Sequence, residues 1–373
     1  MKITLIAGAR PNFIKIAPVI NALRLAVSEG HNIPYRLVHT GQHYDSKMSD
    51  TFFKELNIPE PDINLGCGGG TQAEQTAAIM VAFEKDLIAN PSDLIIVVGD
   101  VTSTMACSIV AKKLNTKVAH IEAGIRSYDL TMPEEINRMV TDCLSDYFFT
   151  TTKWAGDNLR RAGIPDDRIF FVGNVMIDSL LSNRSRFRKP LLWDELNLKE
   201  RSYILITLHR PANVDEGNKL KTYIKEILNN VQGLPVIFPI HPRTAKIFND
   251  LGIDEPNLKI TEPLSYLEFN YLVERAKAVL TDSGGITEET TVMGVPCFTL
   301  RNNTERPETI EIGTNELIGT DPAAINPALI RLFSGQWKKG AVPELWDGRT
   351  AERIVERLIS IPELQNRKKP KSA

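Results

Sequence analysis

The sequence predicts an α/β protein of two domains, each built on a parallel sheet with helices between its strands. Three observations carry that prediction. Short β-branched and apolar runs alternate with longer helical patterns, as βαβ units require. The alternation pauses in a charged stretch near residues 180–200 and then resumes. At 373 residues the chain is long enough to fill two cores.

In the first half, MKITLIAG precedes the helical FIKIAPVINALRLAV, DLIIVVGD precedes TSTMACSIVAKKL, KVAHIEAG follows, and YFFTTT precedes KWAGDNLRRAG. In the second half YILITLH, PVIFPIH, AVLTDSGG and GVPCFTL read as strands, each followed by polar turns or a helix. The segment between, SLLSNRSRFRKPLLWDELNLKERSY, holds no clear strand. The expected domains are therefore 1–180 and 181–365, with NRKKPKSA (366–373) as a basic, apolar-poor tail.

Composition excludes several classes. A net charge of −2 does not suit a general nucleic-acid surface. Cys67, Cys107, Cys143 and Cys297 show neither a CxxC nor a Cys/His ligand pattern, and read as reduced thiols of a cytoplasmic protein. The apolar run at the N-terminus is too short for a signal sequence, and no run approaches the roughly 20 residues of a membrane span.

In open parallel sheets ligands bind beyond the carboxyl ends of the strands, so the residues just after each apolar run carry the information. Nearly all are polar: Arg10 after LIAG, Gln42 and His43 after LVHT, Asp100 after VVG, Glu122 after AHI, His209 and Arg210 after ITL, His241 and Arg243 after FPI, and Ser283 after VLTD. Both halves aim such groups at their C-terminal edges, which predicts a cleft between the domains as the site.

The turn GARPNFIK lacks the GxGxxG and GxxxxGKS spacings, which removes a dinucleotide fingerprint and a P-loop. Arg10 and Lys15 instead suit an anion at a helix N-terminus. CGGG (67–70) has no basic partner and reads as a connection. Within HIEAGIRSYDLTMPEEINRMVTD, Glu122 ends a strand, while Glu134 and Arg138 stand four apart on one helix. Glu134 also fits a capping box begun by Thr131, and Asp100 is placed to cap the next helix. No carboxylate stands at metal-ligand spacing from His209 or His241, so no metal is expected.

The stretch TDSGGITEETTVMGVPCFTLRNNTERPET (281–309) reads as a grip for a nucleoside diphosphate. Amides of Ser283, Gly284 and Gly285 approach the diphosphate, since glycine lacks a Cβ, and the following helix adds its positive end. Arg306 closes from the next strand end. Of Glu288 and Glu289, one suits hydroxyl groups such as those of a ribose, and both also suit a helix first turn.

In order, GARPNFIK, HTGQHYD, GDVTST, HIEAGIRS, PEEINR, TLHR, TDSGGITEE, TERPE and DGRTAERI resemble the non-hydrolysing UDP-N-acetylglucosamine 2-epimerases of bacteria and archaea, along almost the whole chain. The resemblance implies two Rossmann-like domains in a GT-B-like arrangement, a homodimer, and no NAD or metal. It implies interconversion of UDP-GlcNAc and UDP-ManNAc through a 2-acetamidoglucal, for cell-surface polysaccharide precursors. Arg10, Lys15, Asp100, Glu122, Glu134 and His209 match the family's active-site positions, with Arg138 following in the PEE-x-NR motif. Ser283, Gly284, Gly285, Glu289 and Arg306 match its UDP site, Phe269 falls where the family packs a residue by the uracil, and His241 joins the substrate-binding set. Family members commonly read HRREN or HRxEN where this chain has Pro211 and Ala212. Some carry an Arg-Gln pair for a second, activating UDP-GlcNAc where this chain has Glu74-Gln75. The MSDTFF and GGGT segments also resemble relatives acting on UDP-2,3-diacetamido-glucuronic acid. A hydrolysing relative, a GT-B glycosyltransferase and a UDP-sugar sensor are the competing readings.

Overall fold

Strands β1 (Ile3–Ala7) and β4 (Leu94–Val98) are apolar almost throughout and buried along their whole length, as central strands covered on both faces must be. The computed structural model describes residues 1–42, 53, 55–214, 217–240, 242–250, 252, 253 and 255–365. The chain divides into two compact units, one running from Met1 to Ser182 and taking up the segment from Glu344, the other spanning Asn183–Pro343.

In the first unit, β2 (Tyr35–His39), β3 (Ile63–Asn64), β5 (Lys117–Ile121), β6 (Tyr147–Thr150) and β7 (Ile169–Phe171) complete a sheet ordered β3-β2-β1-β4-β5-β6-β7. Every pairing is parallel, with Ile3 of β1 in register with Tyr35 on one side and Leu94 on the other. Ile79, Phe83 and Leu87 recur at helical spacing on the Gln72–Ala89 helix and pack with Ile95 and Val97. Strand order reverses between β1 and β4, so the ends of those two strands flank the topological switch point.

The second unit repeats the plan. Strands β8 (Ile204–Thr207), β9 (Val236–Pro239), β10 (Leu258–Thr261), β11 (Ala278–Thr281), β12 (Cys297–Thr299) and β13 (Asn315–Leu317) form a parallel sheet ordered β10-β9-β8-β11-β12-β13. Its switch point lies between β8 and β11. Ile204, Ile206, Leu280 and Phe298 form its core with Ile224 and Ile227 of the Gly217–Asn230 helix.

One boundary differs from expectation. Residues 344–365 belong to the first unit, not to a second domain ending at 365. The Thr350–Ser360 helix buries Ala351, Ile354, Val355 and Leu358 along one stripe and lies on the Arg10–Ser28 helix. Trp346, almost fully buried, donates its indole N–H to the Thr151 carbonyl at 3.2 Å. Gly173, with φ of +103°, lets Leu345 pass where a Cβ would lie 2.2 Å from the Leu345 oxygen. The tail 366–373 lies outside the described residues. Among those described, no helix is long and apolar enough to cross a membrane.

The Asp178 carboxylate accepts the amides of Thr350 (3.1 Å) and Ala351 (2.7 Å), capping the returning helix from the first unit's own Val175–Asn183 helix. Asp178→Ala is expected to cost roughly 1–3 kcal/mol in urea unfolding. A change under about 0.5 kcal/mol, the level of an ordinary surface substitution, would show that the cap does not hold the segment.

Candidate active site

Polar side chains cluster at the switch point of each sheet. In the first unit the chain leaves β1 through Gly8-Ala9 into the Arg10–Ser28 helix. Asn12, buried, accepts the amides of Gly8 (3.2 Å) and Ala9 (3.0 Å) and donates to the Val98 carbonyl at 3.0 Å, tying that turn to the end of β4. Arg10 is half-buried. Burial pulls its pKa below the ordinary guanidinium value, partly offset by Glu55.

Lys15, one helical turn further, pairs with Glu122 at 2.7 Å. Glu122 directly follows β5, is 2% exposed and holds φ at +69°, in the left-handed region where a non-glycine residue is rare. At Gly99, with φ of +68°, a Cβ would lie 3.1 Å from the Lys15 Nζ and 3.8 Å from Glu122 Oε2, so the end of β4 passes close beside this pair. Asp100 follows, and its carboxylate meets Arg138 at 2.5 Å. It does not cap the Thr102–Lys113 helix, whose N-cap Val101 makes no side-chain bond.

Glu134 departs from expectation. The Pro133–Leu144 helix is preceded by Met132 as N-cap, Thr131 bonds Asp129 at 2.6 Å, and no capping box forms with Glu134, which is exposed. Its neighbour Glu135 turns inward, accepting the amides of Ser127 and Tyr128 (3.0 Å each) and pairing with Arg138 at 2.7 Å. Arg138, 2% exposed, is thus shared by Asp100 and Glu135, not paired with Glu134. Among the expected residues, Arg10, Lys15, Asp100, Glu122 and Arg138 gather at the C-terminal edge. Glu74 caps its own helix, its carboxylate accepting the Thr71 amide at 2.8 Å.

In the second unit His209 follows β8 and Asp282 follows β11. Asp282 is fully buried and accepts the amides of His209 (3.1 Å) and Arg210 (2.9 Å), the Asn213 side chain (3.1 Å) and His209 Nδ1 (2.9 Å). Burial alone would raise its pKa, but the bonds from His209, Arg210 and Asn213 outweigh it and hold the carboxyl below its ordinary value. A carboxylate there makes Nδ1 the donor, which points Nε2 of the more than half-exposed ring outward.

Gly284 and Gly285 head the Gly284–Met293 helix, so their amides are donors that the helix itself leaves unused. The Ser283 amide, expected to join them, is instead given to Thr281 Oγ1 at 3.0 Å. At Gly284 a Cβ would stand 2.8 Å from Glu305 Oε1, which leaves no room for a larger residue. Arg306 is buried and paired with Glu288 at 2.6 Å, so Glu288 anchors the arginine expected to meet the phosphates. Glu289 accepts from the Tyr266 hydroxyl (3.0 Å) and Asn270 (3.5 Å) on the Tyr266–Arg275 helix, where half-buried Phe269 stands between them in sequence. His241 lies outside the described residues. Among those described, no group of three His, Cys, Asp or Glu side chains is placed to hold a metal ion.

Asn12, Glu135, Tyr266 and Asp282 were not singled out from sequence. Asp282 had a usable signal, since it sits inside TDSGG, directly after a strand; the other three depend on contacts across the fold.

Burial raises the Glu289 pKa from 4.5 to about 7, the Tyr266 and Asn270 bonds opposing and the Glu288 charge adding. A carboxyl raised in the folded state takes up a proton on folding, so its contribution falls as pH rises between those two values and then levels off. Glu308, also pushed up to about 7 by burial against the pull of Arg306, adds to the same slope. Thermal unfolding from pH 4.5 to 7.5 is expected to show a shallower decline in Glu289→Gln than in the parent. Identical slopes would place the Glu289 titration elsewhere.

The family model described as UDP-N-acetylglucosamine 2-epimerase matches residues 25–359. The UDP-N-acetylglucosamine 2-epimerase of Methanocaldococcus jannaschii is 40% identical over 374 residues, covering 95% of this chain and 98% of its own. The UDP-2,3-diacetamido-2,3-dideoxy-D-glucuronate 2-epimerase of Pseudomonas aeruginosa is 41% identical over 323 residues, covering 86% and 88%. Among solved structures, the M. jannaschii UDP-GlcNAc 2-epimerase in complex with UDP-GlcNAc and UDP has a TM-score of 0.85 at 41% identity, covering 96% of this chain and 99% of that one. The Neisseria meningitidis UDP-GlcNAc 2-epimerase bound to UDP-GlcNAc has a TM-score of 0.87 at 32% identity, covering 97% and 100%. Two Rossmann-like domains with the GT-B-like fold, the edge residues described above and these similarities agree: the chain belongs to the UDP-N-acetylglucosamine 2-epimerase family.

Proposed function

We propose that this protein interconverts UDP-GlcNAc and UDP-ManNAc by eliminating UDP to a 2-acetamidoglucal and adding it back. The observation that carries this reading is the pair Asp100 and Glu122, brought to one sheet edge with a cation on each. The C2 hydrogen of the sugar is not next to a carbonyl, so a carboxylate cannot remove it unaided. Departure of UDP from C1 builds oxocarbenium character and acidifies that hydrogen. The proton goes to a carboxylate, the C2–H electron pair becomes the C1=C2 double bond, and the C1–O bond breaks with its electrons on UDP. Protonation of C2 from the other face and attack of the UDP oxygen on C1 complete the inversion.

Two faces need two proton-handling groups, and Asp100 and Glu122 fill those roles, with Glu134 in the first helical turn as the third carboxylate. Arg10, Lys15 and Arg138 balance charge around them. In the second unit the Gly284 and Gly285 amides and Arg306 stabilise the leaving diphosphate, Glu289 accepts the ribose hydroxyls, and Phe269 packs by the uracil. The outward Nε2 of His209 acts at the diphosphate, its ring oriented by Asp282, and His241 is assigned to substrate binding. Cofactor and metal are not required by this chemistry.

The P. aeruginosa relative, 41% identical, supports a second reading in which the substrate is UDP-2,3-diacetamido-glucuronic acid. We assign the enzyme to the cytoplasm, where its free cysteines stay reduced and where precursors of cell-surface polysaccharides are made.

Incubation with UDP-GlcNAc in D₂O, followed by NMR, is expected to place deuterium at C2 while UDP-ManNAc appears. Free ManNAc with UDP would mean that water captures the glycal, and an unchanged spectrum directs the assay to the diacetamido-glucuronate. Glu122→Gln should keep UDP affinity and lose epimerisation by roughly 100- to 10,000-fold; near-normal turnover would sink the assignment.

We also propose a homodimer formed through the first unit. Val81 and Ile88 (55% and 62% exposed) stand seven apart on the Gln72–Ala89 helix, and Ile136 and Met139 (47% and 46%) share a face of the Pro133–Leu144 helix. The Thr102–Lys113 helix packs against both, so these apolar stripes belong to one helical layer. Sedimentation should give twice the chain mass for the parent and the chain mass for Val81→Glu/Ile136→Glu; a monomeric parent refutes the dimer.

A further inference from the structure

Behind the strand ends that carry Asp100 and Glu122 lies a buried charge cluster to which the reaction above assigns no role. His120, the penultimate residue of β5, is fully buried, and its Nδ1 meets Asp142 Oδ1 at 2.7 Å. Its Nε2 donates to the Gly99 carbonyl at 2.9 Å. The other oxygen of Asp142 receives Arg126 at 2.6 Å and the Gly124 amide at 3.1 Å. We infer that His120, Asp142 and Arg126 form one positioning unit that fixes the backbone beneath both proton-handling carboxylates. The inference rests on the proposed roles of Asp100 and Glu122.

The bonds reach both turns. Gly99 immediately precedes Asp100, so the His120 bond to its carbonyl holds the peptide from which that carboxylate projects. Gly124 is two residues past Glu122, and its carbonyl is taken by Asn158 at 2.8 Å. With φ of +77°, its place is so tight that a Cβ would lie 2.2 Å from the Ala155 oxygen. Glu122 therefore keeps its left-handed backbone between a strand on one side and a glycine clamped by Asp142 and Asn158 on the other. The two turns are also joined directly by the Gly99 amide, which donates to the Ile121 carbonyl at 3.0 Å.

The cluster holds Asp142 as a carboxylate. Burial would raise the Asp142 pKa, but its bonds with His120 and Arg126 carry it below the ordinary value. The His120 ring faces a carboxylate on one nitrogen and a carbonyl on the other, so both of its nitrogens are engaged. Around it Arg126 meets Asp142, Lys15 meets Glu122, and Arg138 meets Asp100 and Glu135. Buried ion clusters are often no more stabilising than apolar packing of the same volume. What this one adds is geometry, and geometry at reacting carboxylates is read in kcat.

The test is steady-state epimerisation by the full chain carrying Asp142→Asn, His120→Asn or both, with UDP affinity from calorimetry. Each single change should lower kcat by roughly 10- to 100-fold, as loss of outer-shell support does, with KM and UDP affinity within about threefold. The double variant should lose little more than the worse single one, because the residues act as a unit. A kcat within about threefold of the parent, or losses that multiply in the double variant, would overturn the inference. If Asp142→Asn does not melt cooperatively, His120→Gln, which keeps a neutral donor toward Gly99, is judged by the same criteria. An inactive parent overturns the functional reading and this inference with it; an active parent with unaffected variants overturns this inference alone.

Discussion

A carboxylate removed from water must be met by cations or donors, and the organisation of this protein follows from how its buried acids satisfy that demand. Glu122 takes Lys15, Asp100 and Glu135 share Arg138, Asp142 takes His120 and Arg126, and Glu288 takes Arg306. Apart from Glu135 with Arg138, which share one helix, these pairs join different elements of the fold. Satisfying charge and positioning the functional groups are the same set of contacts. Glu289 is met by a tyrosine hydroxyl and an amide, and burial raises its pKa.

Both units use the same topology for different chemistry. Each sheet reverses strand order beside its first strand, and each places polar groups at that reversal. In the first unit the edge collects carboxylates and the cations that hold them, which suits moving a proton. In the second it collects helix amides, a buried arginine and a histidine oriented by a carboxylate, which suits holding an anionic leaving group. Glu288, one of two adjacent acids on its helix, is the partner of the buried Arg306.

Much of this was legible in advance because ligands of open parallel sheets bind beyond the carboxyl ends of the strands. Arg10, Asp100, Glu122, His209 and the Ser283-Gly284-Gly285 turn could be found by reading just past each apolar run. Neighbouring acids could not be told apart that way. Glu134 and Glu135 are adjacent and chemically identical, yet successive helical residues point about 100° apart, so one is exposed and the other is sealed against Arg138. The closing helix posed the same difficulty at larger scale. Its apolar stripe declares that it packs on something, while the partner surface is set by Asp178 and by the Arg10–Ser28 helix, more than 170 residues earlier in the chain.

By itself the sequence determined the alternation of strands and helices, the doubling of the sheet and the polar residues at its edges, because these follow from local periodicity and from motifs a few residues long. Only the tertiary structure decided which acid meets which base. His120 and Asp142 are separated by 21 intervening residues and meet at 2.7 Å; Lys15 and Glu122 come from different strand-helix units and meet at the same distance. Such pairings depend on strand order and register, which bring distant segments to one edge and leave no mark on the spacing of residues along the chain.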